Sequence, residues 1–209
     1  MLELFQKGGP IMWPLLLASV VAIGVAIERM IFIFREKKHR NAAVVDTILL
    51  YAEKGDLDEA IRVGQKSRDF VAKTLVYGLL HEKKSTSNAL LSAANRELKR
   101  FNQGLPILDT IITLAPLLGL LGTVTGMIRS FGLLGGRELD APAVITGGIA
   151  EALIATAFGL GIAIVSLIPF NYLTTRAEEA RHEIEDAANH LELHLIKSKT
   201  DYANLAAHR

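Results

Sequence analysis

The 209-residue sequence contains no cysteine. Disulfides, thiol catalysis and cysteine-based zinc sites are therefore excluded. It also lacks a charge bias. Its 23 basic residues stand against 22 acidic ones, so net charge points to no nucleic-acid partner. No Lys-Ser/Thr pair follows a glycine loop, which leaves no nucleotide-binding P-loop. His190 and His194 flank Glu192 as H-x-E-x-H, not the H-E-x-x-H of zinc proteases. A solvated helix face accounts for them. No Ser/His/Asp set or paired carboxylates suited to enzymatic work is found, and no cofactor or metal is implied. No domain-scale repeat or low-complexity segment is present.

What the sequence has is segregation of charge. Half of its residues are hydrophobic, and they gather in long runs. The first run is Ile11–Ile27, continued by Met30–Phe34 past Glu28 and Arg29. As a helix, residues 11–34 span roughly 36 Å, enough for a hydrocarbon core of about 30 Å. Pro14 falls in the first turn, where a missing N–H costs least. A cleaved signal peptide needs a basic N-flank. Here that flank holds only Lys7, while Arg29, Arg35, Lys37, Lys38 and Arg40 lie on the other side.

The second run is Leu105–Leu134, with no charge between Thr110 and Ile128. The third lies in Ala141–Thr175, whose only charge is Glu151. Both are too long and too apolar for core helices of a soluble domain this size. The expected fold is an all-α membrane protein with three transmembrane helices and long cytoplasmic helical extensions. Its parts are residues 1–34 (an outer N-terminal segment and the first span), 35–104 (a cytoplasmic helical segment), 105–134 (the second span), 135–144 (an outer turn), 143–172 (the third span) and 173–209 (a cytoplasmic helix). The orientation comes from basic residues: segment 35–104 holds 14 Lys/Arg, and Gly135–Val144 holds only Arg137, beside Glu138 and Asp140.

Within the cytoplasmic segment, Asp56 and Glu59 resemble a capping box. Ser85 or Ser87 suits the cap of a helix running through Leu98. Pro106 marks a kink or a fresh helix start. In the tail, Ala177, Ala180, Ile184, Ala187, Leu191 and Leu195 form one helical stripe, as expected of a helix packing on its neighbours.

Glu151 is the sharpest functional signal. It stands about seven residues inside the third span, roughly 10 Å from its outer end. An ionisable group there costs a few kcal/mol or more and normally faces a polar interior. Two readings stand: an ion pathway, or a carboxyl that hydrogen-bonds to neighbouring helices. Counting inward from Gly135 and Val144 puts Arg129 six residues deep and Glu151 seven, with Thr123 and Thr156 both at twelve. This predicts an outer Arg/Glu level and a deeper Thr/Thr level. On an ideal helix Glu151 and Thr156 are 140° apart, so one faces a pore and the other a neighbouring helix. Arg129 and Glu151 form a candidate ion pair, within or between subunits. The alternative is that Arg129 snorkels to the outer surface. Gly119, Gly122, Gly126 and Gly159 are small residues that let helices approach closely. Asp109, near the inner end of the second span, reads as an interfacial carboxylate.

The stretches Ala115-Pro116-Leu-Leu-Gly119-Leu-Leu-Gly122-Thr123-Val-Thr-Gly126 and Gly148-Ile-Ala-Glu151-Ala-Leu-Ile-Ala-Thr156-Ala-Phe-Gly159 resemble the second- and third-helix signatures of the ExbB/TolQ proton-channel family, relatives of MotA stators. The resemblance implies a homopentamer around a dimer of a single-span ExbD/TolR-like partner in a bacterial inner membrane. In it, Thr123 and Thr156 line the route of a proton carried by the partner's aspartate, and Glu151 tunes or relays charge nearby. The output passes to a TonB- or TolA-like transducer. Arg129 departs from the pattern. A passive scaffold, or a stator of another ion-driven motor, is the competing expectation.

Overall fold

The computed structural model describes residue 5 and residues 7–132 and 141–207. The expected outer turn at 135–140, with Arg137, Glu138 and Asp140, lies outside the described residues. The described residues are mostly helical, and no strand occurs among them. The elements are α1 (Met12–His39), α2 (Ala42–Glu53), α3 (Leu57–Gln65), α4 (Phe70–Leu80), α5 (Glu82–Asn102), α6 (Leu105–Gly132) and α7 (Ala141–Ala207). Three stretches, Met12–His39, Ser85–Gly132 and Thr146–Ile196, are long and apolar enough to cross a membrane.

The chain divides into two compact units. The first comprises residues 1–30 and 104–173. Its packing rests on stripes that are small from Ala115 outward on the second span and along the third. On α6 the buried positions are Leu105, Leu108, Ile111, Ala115, Gly119, Gly122, Gly126 and Ser130, spaced by three and four. On α7 they include Ala152, Ala155, Gly159 and Ala163. That spacing puts each set on one helix face. Many of the bulky residues turn the other way. Trp13, Leu17, Ile128, Ile164, Val165 and Ile168 are each more than 60% exposed. An apolar surface that broad calls for lipid or protein against it.

Pro106 marks a fresh start. Gln103 is extended, Gly104 has φ +83, and α6 begins at Leu105. The Gly104 carbonyl then accepts from the N–H groups of Ile107 and Leu108. A Cβ at Gly104 would come within 3.2 Å of Arg29 and 3.0 Å of Val25, so both conformation and space require glycine there. Pro169 lies inside α7, which nevertheless runs unbroken from Ala141 to Ala207.

The second unit comprises residues 31–103 and 174–209. α4 is its central element, with Phe70, Val71, Ala72, Thr74, Leu75, Val76 and Leu79 all buried. The tail stripe Ala177, Ala180, Ile184, Ala187, Leu191 and Leu195 is buried at every position. Asp56 caps α3 by accepting from the Glu59 N–H at 3.3 Å. Only half of the capping box forms, because the Glu59 carboxylate turns to Arg62 at 2.5–2.7 Å and the Asp56 N–H donates to Tyr51. Of the two serines, Ser85 interrupts the helix and accepts from the Asn88 N–H at 3.4 Å.

The unit is pinned by Asp69, which is fully buried. Its carboxylate accepts from the N–H groups of Val71 (2.8 Å), Ala72 (3.2 Å) and Asn41 (2.6 Å), and from Arg40 Nη1 (2.7 Å). A buried charge with four donors is fully satisfied. Burial opposes the charge on Arg40, but hydrogen bonds to Glu183 and Asp69 outweigh it and hold the guanidinium above its ordinary range.

Candidate functional site

The α6–α7 hairpin carries every residue singled out for chemistry. Its register is set where backbone meets backbone. A Cβ added at Gly159 would lie 2.5 Å from the Ala115 carbonyl oxygen and 3.2 Å from Gly119 Cα. One at Gly119 would lie 2.9 Å from Thr156 Cα. At Gly122 it would meet the Ala155 methyl at 2.6 Å, and at Gly126 the Gly148 carbonyl at 3.2 Å. Without Cβ atoms these positions let two antiparallel helices pack closely. At the outer end a Cβ on Gly148 would collide with Ser130, a buried serine whose hydroxyl donates to the Gly126 carbonyl at 2.9 Å. That contact was not anticipated from the sequence, because one serine near a helix end carries no periodic signal.

This register differs from the one obtained by counting inward from the helix ends. Thr156 stands opposite Gly119, not Thr123. The Thr156 hydroxyl donates across the hairpin to the Gly119 carbonyl at 3.0 Å. Thr123 lies four residues nearer the outer end, about 6 Å by helical rise. Its hydroxyl donates to the Leu120 carbonyl of its own helix at 2.7 Å. The physical reason is that contact between glycine-bearing faces fixes the pairing, whereas helix ends do not. α7 begins at Ala141, before the point from which the depth was counted.

One consequence is chemical. A hydroxyl has one donor and two acceptor lone pairs. Both threonines spend the donor on a backbone carbonyl, so each offers only acceptor capacity to anything passing. Such oxygens suit a protonated acid, a hydrated proton or a cation. Both residues are half-buried.

Glu151 does meet Arg129. Nη1 lies 3.2 Å from Oε1 within one chain, with the arginine side chain 53% exposed and the glutamate 25%. The glutamate has a second neighbour that the sequence reading overlooked. Gly9, in the turn before α1, has φ +72, and a Cβ there would overlap the Glu151 carboxylate. The Gly8-Gly9-Pro10 run marks a turn, but nothing in one sequence says which side chain that turn meets. The core beside it joins Met12, Leu15 and Ala115, with Ile11, Leu118, Phe158 and Ile162 packed around them.

The remaining sequence candidates stand apart. Asp109 is exposed. His194 lies 4.0 Å from Glu53 in the second unit. Among the described residues no group of three metal-ligating side chains occurs.

Comparison with known proteins places this hairpin in context. Residues 64–186, more than half of the chain and including the site from Gly119 to Thr156, match the MotA/TolQ/ExbB proton channel family. The chain is 37% identical over 201 residues to the ExbB-like biopolymer transport protein 1 of Synechocystis sp., covering 92% of this chain and 78% of that one. It is 26% identical over 217 residues to the biopolymer transport protein ExbB of Neisseria meningitidis serogroup A, covering 93% and 96%. To the Tol-Pal system protein TolQ of Haemophilus influenzae it is 40% identical over 93 residues, 44% of this chain and 41% of that protein. Three membrane-length helices, the glycine-set hairpin and these matches agree: the chain is a multi-pass membrane protein that belongs to the MotA/TolQ/ExbB proton channel family, on its ExbB/TolQ branch.

Proposed function

We propose that this chain is the ion-conducting subunit of an ExbB–ExbD or TolQ–TolR type motor in the inner membrane. The observation that carries the reading is the Thr156 hydroxyl. It donates across the hairpin to the Gly119 carbonyl, leaving its oxygen as an acceptor. The donated bond would serve a passive scaffold equally; the acceptor capacity left on the oxygen is what favours ion passage.

Asp109 and Arg129 lie twenty residues apart on one helix, about 30 Å by helical rise, which is the hydrocarbon thickness. With the basic segment 35–104 and the tail on the cytoplasmic side, Asp109 marks the inner boundary. The Arg129–Glu151 pair then marks the outer one. Cations enter beside Glu151, pass the acceptor oxygens of Thr123 and Thr156, and meet an acidic group on a single-span partner. Each charge crossing the field is worth about 2.3 kcal/mol per 100 mV. A few charges per cycle drive movement of the partner, and a TonB- or TolA-like transducer receives it.

The exposed bulky faces of α1, α6 and α7 supply the surface for lipid and for further copies. The expected assembly is five copies around two partners. Native mass measurement in mild detergent of the chain co-expressed with a one-span protein carrying a membrane aspartate tests this. The expected result is a closed complex that conducts only when both proteins are present. A stable monomer, with or without the partner, contradicts it.

A further inference from the structure

The Glu151 carboxylate is held from two sides. On one, Arg129 Nη1 lies 3.2 Å from Oε1. On the other is the backbone of Gly9. A Cβ built there would overlap Oε1 and lie 2.8 Å from Cδ and 3.2 Å from Cγ of the same side chain. Gly9 also has φ +72, a left-handed conformation that other residues adopt only with strain. Two independent constraints therefore demand glycine at one position. The preceding residue repeats the fit one turn further along α7. Gly8 is buried, and a Cβ on it would lie 2.6 Å from Met12 of its own turn and 3.1 Å from Ile154 Cγ2. The pair thus lays bare backbone along the α7 face that carries Glu151 and Ile154. Gly24 of α1, by contrast, has nothing within 4 Å of a would-be Cβ.

We propose that Gly9 is a positioning residue for Glu151: its backbone seats the carboxylate against Arg129, so the turn before the first helix governs cation access to that carboxylate. This rests on the reading of Glu151 as part of the ion route. A side chain at position 9 would force the carboxylate into another rotamer, away from the guanidinium. Arg129 is half exposed and is free to turn outward once released. Glu151 would then face arriving cations unneutralised, or leave the route.

The test uses the full chain co-reconstituted with its partner. The variants are Gly9→Ala, Glu151→Ala, their combination, and Gly24→Ala as control. The first readout is thermal unfolding. Gly9→Ala lowers the midpoint in the wild-type background by at least twice as much as in the Glu151→Ala background. In the latter only the backbone conformation is strained. Gly24→Ala produces no drop. Equal drops in both backgrounds overturn the positioning role.

The second readout is cation uptake against external pH. Gly9→Ala shifts the profile, and Gly24→Ala does not. An unchanged Gly9→Ala profile, beside a Glu151→Ala variant that no longer conducts, overturns this inference and leaves the ion route standing. Wild-type uptake by Glu151→Ala overturns both. Should Gly9→Ala fail to assemble, the combination with Glu151→Asp decides. The shorter side chain withdraws the carboxylate by one methylene, so assembly returns, and failure to return counts against the proposal.

Discussion

Replacing Gly159 by alanine tests the hairpin geometry with an internal control. In a helix interior, glycine to alanine gains about 1 kcal/mol from backbone entropy alone. At Gly161 and Gly24 a new Cβ has nothing within 4 Å, so that gain is expected in full. At Gly159 the new methyl would sit 2.5 Å from the Ala115 carbonyl oxygen and 3.2 Å from Gly119 Cα. Both obstacles are backbone, so no rotamer change relieves them and the helices must part. Overpacking of this kind costs about 1–3 kcal/mol. Parting the helices also stretches the 3.0 Å bond from Thr156 to the Gly119 carbonyl, worth about 0.6 kcal/mol by analogy with membrane hydrogen bonds. Gly159→Ala should therefore be net destabilising by about 1–2 kcal/mol despite its better helix propensity. Gly161→Ala and Gly24→Ala should be neutral to stabilising. Thermal unfolding followed by circular dichroism in one detergent gives the ranking. Stabilisation by Gly159→Ala equal to that by Gly161→Ala would refute the close approach of α6 and α7.

Three further outcomes are expected. Asp69→Ala removes a fully buried carboxylate, leaving the N–H groups of Val71, Ala72 and Asn41 without its oxygens and Arg40 with Glu183 in place of two acids, so unfolding free energy should fall by about 3–5 kcal/mol; a loss under 1 kcal/mol contradicts the buried network. For Arg129→Gln and Glu151→Gln, a double-mutant cycle should return a coupling of about 0.5 kcal/mol, since the arginine side chain is 53% exposed; zero coupling removes the pair. With no native cysteine to interfere, single cysteines placed in 135–144 should react with an impermeant reagent from outside, and those in 53–84 or beyond 185 should not. Labelling of the long segment from outside reverses the orientation.

The spans were readable because membrane helices announce themselves by the absence of charge, as between Thr110 and Ile128. The tail stripe was readable because Ala177 to Leu195 keep one period. Glu151 was conspicuous as the only charge in its run, and Arg129 as a charge at nearly the same count. The threonine level was misjudged, because counting from helix ends assumes symmetric ends. The true register comes from Gly119, Gly122 and Gly159, where missing Cβ atoms decide how closely the helices approach. Asp69 gave no signal, since an aspartate before a helix reads as an ordinary cap, and its other two donors, Asn41 N–H and Arg40, arrive from 28 and 29 residues away. Gly9 was missed for the same reason: its meaning lies in a side chain far along the chain.

Whether the Thr156 oxygen serves ion passage is decided by proton uptake into proteoliposomes under an imposed gradient. Thr156→Val keeps the volume and loses the oxygen, at a stability cost of about 0.6 kcal/mol for the bond to Gly119. Thr156→Ser keeps both the oxygen and the donor. Uptake is expected near wild type for serine and near background for valine, with both complexes assembled. Wild-type uptake by an assembled Thr156→Val complex would contradict it.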